Sequence, residues 1–217
     1  MISQYNIFKL FVILFFILYA KSLMAGCDAY ISNPMVNVKT DNGKIYYDNT
    51  KSNSQFPSKP YSSTMGLTVS ELKQNISGDV DLISQPDGTF CVVLKTVDAY
   101  VGFPRVDVYI DKKYKPGSCN YKVIREHENY HVRVQREGLD FFTPKIRQAI
   151  QIASKKIKTD QVFSESQAKS VAQSMFTRIQ NDIKPTMDFV KKRLKEENMV
   201  IDTQASYEEE SKKCPKW

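Results

Sequence analysis

Only two histidines occur in this 217-residue chain, and both fall in Arg125-Glu126-His127-Glu128-Asn129-Tyr130-His131-Val132. If the two imidazoles are to act together at this spacing, the stretch must be helical. Four residues advance an α-helix by about 400°, so His127 and His131 stand one turn apart, offset by about 40°. Both rings can then reach one metal ion. Glu128 lies about 100° around the axis from His127, where a carboxylate can hydrogen-bond a water without being a ligand itself. Tyr121, Ile124, His127, His131 and Val134 fall on or near one stripe, so the histidines face the apolar side of the helix. Idle histidines on a surface helix would more often face the polar side.

The chain before this helix is β-like and the chain after it is helical, which predicts an α+β fold. An antiparallel strand-rich half is expected over residues 27–117, then the metal-binding helix and a helical half over 118–217, forming a single domain. Met35–Lys39, Asn42-Gly43 and Lys44–Tyr47 read as a hairpin, because Asn-Gly suits a tight turn. Residues 48–63, with Pro57 and Pro60, read as a loop, and 65–76 as a short strand followed by a short helix from about Ser70. Val80–Ile83, Pro86-Asp87-Gly88 and Phe90–Leu94 form a second hairpin. Val106–Ile110 alternates strictly and makes a further strand. Ser118 can cap the metal helix, which should stop at Gly138. Thr143-Pro144 then opens a helix that buries Ile146, Ile150, Ala153 and Ile157. A longer helix is predicted over 164–198, interrupted or kinked at Pro185, with Val171, Met175, Ile179, Phe189 and Leu194 in the core.

Lys9 precedes an apolar run from Leu10 to Ala20, followed by Ala25 and Gly26. The run is too short for a membrane span, so residues 1–26 read as a secretory signal peptide. Met24-Ala25-Gly26-Cys27 also resembles a bacterial lipobox, although Met stands where Leu is usual. Four cysteines, Cys27, Cys91, Cys119 and Cys214, can form two disulfides. Lipidation of Cys27 would leave one thiol unpaired, so a soluble secreted or periplasmic protein is expected, with a membrane-anchored lipoprotein as the alternative. The net charge of +7 comes from scattered lysines on helix faces, which argues against a nucleic-acid partner. A hydrophobic fraction of 41% excludes wholesale disorder.

His127-Glu128-x-x-His131 resembles the signature of the zincin metallopeptidases. The resemblance implies that His127 and His131 bind Zn²⁺ and that Glu128 is the general base for the attacking water. It also implies an edge strand beside the metal helix that holds an extended peptide, a place Val106–Ile110 could take. The run from Cys119 through His131, with Ile201-Asp202-Thr203, Tyr207 and Cys214, resembles a group of secreted bacterial proteins regarded as zinc-dependent proteases.

Catalytic zinc usually has three protein ligands, and with no third histidine a carboxylate must supply the last. Glu137 has the spacing of the third metzincin ligand, but Val134 stands where that family has Gly. Glu165 lies where a gluzincin ligand would be sought, without that family's surrounding sequence. Asp202 followed by Tyr207 resembles the aspzincin pair, in which Asp binds zinc and Tyr stabilises the oxyanion, here spaced five residues apart rather than three. Asp202 is the preferred ligand of the three.

Cys27–Cys91 and Cys119–Cys214 are the expected disulfides. The second would return the tail to the metal helix: the seven residues back to Tyr207 span up to about 23 Å, and Cys119 to His127 about 12 Å. These readings converge on a secreted zinc peptidase with a peptide or protein substrate. The alternative is a non-enzymatic periplasmic or envelope binding protein with a basic helical half.

Overall fold

The computed structural model describes residues 26–56 and 64–217. The expected leader, apart from Gly26, and residues 57–63 of the expected loop lie outside the described residues. The strands are β1 (Met35–Asp41), β2 (Lys44–Asp48), β3 (Gly66–Ser70), β4 (Lys73–Ser77), β5 (Val80–Ser84), β6 (Phe90–Leu94), β7 (Thr96–Gly102), β8 (Arg105–Ile110) and β9 (Asp160–Val162). The helices are α1 (Cys119–Lys155), α2 (Glu165–Met199) and α3 (Gln204–Ser211). This is an α+β architecture with a strand-rich first half and a helical second half.

β1 and β2 do not form the expected hairpin. β1 pairs in parallel with β7, and β2 in parallel with β8. A two-residue type I′ turn needs positive φ at both central residues, and only Gly43 has it, at +70°. Asn42-Gly43 therefore bends the chain without reversing it. β7 and β8 are joined through Phe103-Pro104, and β4 and β3 pair antiparallel on their other side. The outcome is two three-stranded sheets of mixed direction, β1-β7-β4 and β2-β8-β3, with β7 and β8 central. The helix expected near Ser70 is absent: the chain continues from β3 into β4 with Leu72 buried at the bend. The β5–β6 hairpin forms as expected around Gly88, and β9 adds to its free side. β7 and β9 have no counterpart in the sequence reading.

α1 runs through both Gly138 and Pro144. One buried stripe, Val132, Leu139, Phe142, Ile146, Ile150 and Ala153, continues across them and packs into the same core as α2. Each fully buried isoleucine contributes about 1.5–3 kcal/mol, so several together outweigh the roughly 3 kcal/mol of an interior proline. Gly138 is needed for helix contact, because a Cβ there would lie 2.3 Å from Leu194 Cδ2. α2 likewise passes Pro185 as one helix, with Ile179, Ile183, Met187, Val190 and Leu194 buried. Phe189 is exposed rather than core. Val190 takes the buried position beside it, and the Phe189 ring meets Phe142 edge-on and Lys145 Nζ at 4.1 Å.

At the histidine motif the edge strand beside the metal helix is β3, not Val106–Ile110. β8 has partners on both sides, whereas β3 is an edge strand. No helix among the described residues is long and apolar enough to cross a membrane.

The bend at Gly43 gives a test of the sheet. A Cβ there would lie 2.2 Å from the Phe103 carbonyl oxygen, and φ of +70° is costly for an L side chain. Gly43→Ala should cost about 2 kcal/mol or more and lower the melting temperature by about 4–8 °C. An unchanged melting temperature would contradict the bend described.

Candidate functional site

α1 starts at Ser118, whose Oγ accepts from Tyr121 N–H at 3.2 Å. His127 and His131 follow on its buried side, with ring centroids 4.9 Å apart and edge to face. α2 ends at Met199, close to them, and Asp202 stands in the turn that follows. Thr203 caps α3 by accepting from Ser206 N–H. Tyr207 and Glu210, three residues apart on α3, then face His127.

α3 has no buried residue, so little apolar packing holds it. It is tethered beyond its end by Cys119–Cys214, by Asn120 Nδ2 donating to the Lys216 carbonyl at 2.7 Å, and by Trp217 against Tyr114. Both expected disulfides are present, Cys27–Cys91 being the other.

The hydrogen bonds assign the imidazole tautomers. Asn198 Nδ2 donates to the Leu194 carbonyl at 2.8 Å, which leaves Oδ1 to accept from His131 Nδ1 at 3.0 Å. The acceptor-only carboxylate of Glu210 takes His127 Nδ1–H at 2.8 Å. In its neutral form each ring thus carries its proton on Nδ1 and presents the Nε2 lone pair inward. Asp202 Oδ1 lies 3.0 Å from His127 Nε2 and 3.2 Å from His131 Nε2, and the two Nε2 atoms are 3.2 Å apart. Three acceptors converge, and only something positive can sit between them. His127, His131 and Asp202 can hold a metal ion.

The electrostatics agree. Burial opposes charge on His127, but Asp202, Glu128 and Glu210 outweigh it and push its pKa up to about 9. His131 is raised too, against its own burial, by Asp202 and Glu128. Burial would raise Asp202, yet the two histidines hold it well below the usual carboxylate range. Proton and metal compete for the same lone pairs.

Glu128 is almost fully buried beside this cluster without joining it, and that burial raises its pKa despite the nearby histidines. Thr68 Oγ1 on β3 donates to its Oε2 at 2.7 Å. Gly66, also on β3, lies so near that a Cβ would sit 2.5 Å from Glu128 Oε1. Tyr207 stacks on His127 and donates to Asp202 Oδ1 at 2.8 Å, while burial and that carboxylate raise its pKa and keep it a donor. Glu128, His131, Asp202 and Tyr207 line one cleft of about 250 Å³ with Gly66 and Thr68.

The other carboxylates are elsewhere. Glu137 is exposed farther along α1, beside Phe141 and Glu197. Glu165 opens α2 and Asn198 closes it, about 50 Å apart along the axis. Sequence reasoning missed Asn198, Glu210, Thr68 and Gly66. Glu210 sat in the acidic run Glu208-Glu209-Glu210, and nothing marked the others. Comparison with protein-family models, curated proteins and solved structures finds no match for this chain.

Glu210 and Asn198 fix the rings without being donors to the centre. Glu210→Ala and Asn198→Ala should each lower metal affinity by about 10–100-fold, read by competition with a chromophoric chelator, while Glu137→Ala leaves it unchanged. Equal affinity in all three variants would remove the role of the two partners.

Proposed function

We propose that the protein is a zinc-dependent peptidase acting outside the cytoplasm. The observation that carries this reading is the buried, unligated carboxylate of Glu128 beside three converging donors. Two imidazoles and one carboxylate are a donor set of catalytic zinc sites, which leave a fourth position open. Donors about 2.0–2.1 Å from a tetrahedral ion lie about 3.3 Å apart, close to the 3.0–3.2 Å separations here. Bound there, zinc would act as a Lewis acid, polarising a carbonyl and lowering the pKa of water.

The chain's own residues supply the remaining steps. Glu128 takes a proton from the attacking water and passes it to the leaving amine, a role for which a raised carboxyl pKa is suited. Tyr207, a protonated donor lining the same cleft, holds Asp202 and can donate to the oxyanion that develops on the carbonyl. β3 has no partner on its outer edge among the described residues, so an extended peptide can add to it as a strand. Gly66 keeps that strand close to the base.

Two disulfides suit an oxidising compartment. With its sulfur paired to Cys91, Cys27 has none to offer a lipid, which favours a soluble secreted or periplasmic protein.

Purified protein should carry about one zinc per chain by elemental analysis and lose it to chelators. Glu128→Gln should keep zinc and abolish peptide hydrolysis, whereas His131→Ala should lose the metal. Gly66→Ala should keep zinc and lose most activity by displacing the Glu128 carboxylate. A chain that binds no metal after reconstitution would support the non-enzymatic binding protein. Full hydrolysis by Glu128→Gln would exclude the proposed base.

A further inference from the structure

The cleft at the metal centre does not end there. A second cleft of about 360 Å³, reaching Ser70, Leu72 and Phe103, shares Gln135, Lys195 and Asn198 with it, so the two form one trough between β3 and the last turns of α2. The trough has a direction. Gly66 and Thr68 lie against Glu128, and farther along β3 Ser70 Oγ donates to Gln135 Oε1 at 2.7 Å.

Lys191 lines the far part of the trough and Lys195 its junction with the metal cleft, one turn apart on the same face of α2. Neither has a carboxylate within ion-pair distance among the described residues. Their neighbours are occupied: Lys192 pairs with Glu196, and Arg193 with Glu196 and Glu197. Glu71, the acidic group at that end, is paired with Lys73 at 3.5 Å. The last turns of the helix thus balance their outer charges and leave two cations unbalanced where the trough runs. Beneath them Leu72 and Phe103 are buried and offer no counter-charge.

We propose that Lys191 and Lys195 form a subsite for acidic side chains of the substrate, on the N-terminal side of the bond cleaved; this rests on the peptidase reading above. The side follows from strand direction. Antiparallel pairing is the more stable ladder, and a peptide antiparallel to β3 enters at Ser70 and leaves at Gly66. Its reacting carbonyl lies level with Thr68 and Glu128. Ser70 and Leu72 are then about 7–13 Å upstream, or roughly two to four substrate residues. Exposed lysine–carboxylate pairs are weak singly, but two in a cleft should favour Glu over Lys by roughly 3- to 20-fold in kcat/KM, less at high salt.

The test is to incubate the zinc-loaded full chain with a diverse peptide library and sequence the products by mass spectrometry. Asp and Glu should be enriched about two to four residues before the cut, and the double variant K191E/K195E should shift that enrichment to Lys and Arg. A flat profile, enrichment only after the cut, or a preference that survives the double variant would overturn the subsite. Binding separates this from the activity itself. The zinc-loaded Glu128→Gln protein should bind a fluorescein-labelled Glu-rich peptide more tightly than a Lys-rich one, and K191E/K195E should invert the order. Loss of that order overturns the subsite, whereas its presence with no cleavage of any peptide by the parent protein overturns only the peptidase reading.

Discussion

Two imidazole nitrogens and a carboxylate oxygen, all presenting lone pairs, stand 3.0–3.2 Å apart at the centre of this protein. The three share either a proton or a metal ion, and the remainder of the structure must hold them in register. α1 places two of them through its own pitch. The third arrives on a turn whose position depends on where α2 ends and on how the tail beyond it is tied down. Because α3 buries no residue, packing alone does not return that tail. Cys119–Cys214, joining positions 95 residues apart, restricts the unfolded chain by an amount worth about 4–5 kcal/mol in the chain-entropy account. It also sets Glu210 and Tyr207 against His127.

The motif was legible because its geometry is local: residues four apart on a helix share a face whatever else the chain does. Asn198 and Glu210 were not legible, because what they do depends on contacts between residues 67 and 83 positions apart. The same distinction explains the errors in the fold. Gly138, Pro144 and Pro185 are helix breakers by local rules, yet each lies inside a stripe whose burial against the partner helix outweighs it. Asn42-Gly43 is a hairpin signal by local rules, but β1 and β2 find parallel partners about sixty residues away in β7 and β8. The β5–β6 hairpin, whose partners are sequence neighbours, was legible. Phe189 was misplaced by a single residue, since Val190 fits the spacing from Met187 to Leu194.

Glu128 links the centre to the sheet. Its carboxylate is held by Thr68 and crowded by Gly66, both on the edge strand. The group that would move protons and the strand that would hold a peptide are therefore one mechanical unit. Burial raises the Glu128 pKa while Thr68 and the histidines oppose the rise, a balance that depends on β3 staying in register with β8.

The site is thus assembled from three separate parts of the chain, residues 66–68, the helix pair with 127–131 and Asn198, and residues 202–210, each held by a different force. β3 is held by its ladder to β8, the histidines by the buried stripe joining α1 to α2, and the tail by a covalent bridge. These forces fail under different conditions. A lesion in the ladder frees the Glu128 carboxylate from Thr68 and leaves the metal donors in place, whereas loss of the bridge frees Asp202, Tyr207 and Glu210 and leaves the base where it is. Only damage to the helix pair removes both, because His127, His131, Glu128 and Asn198 all take their positions from it.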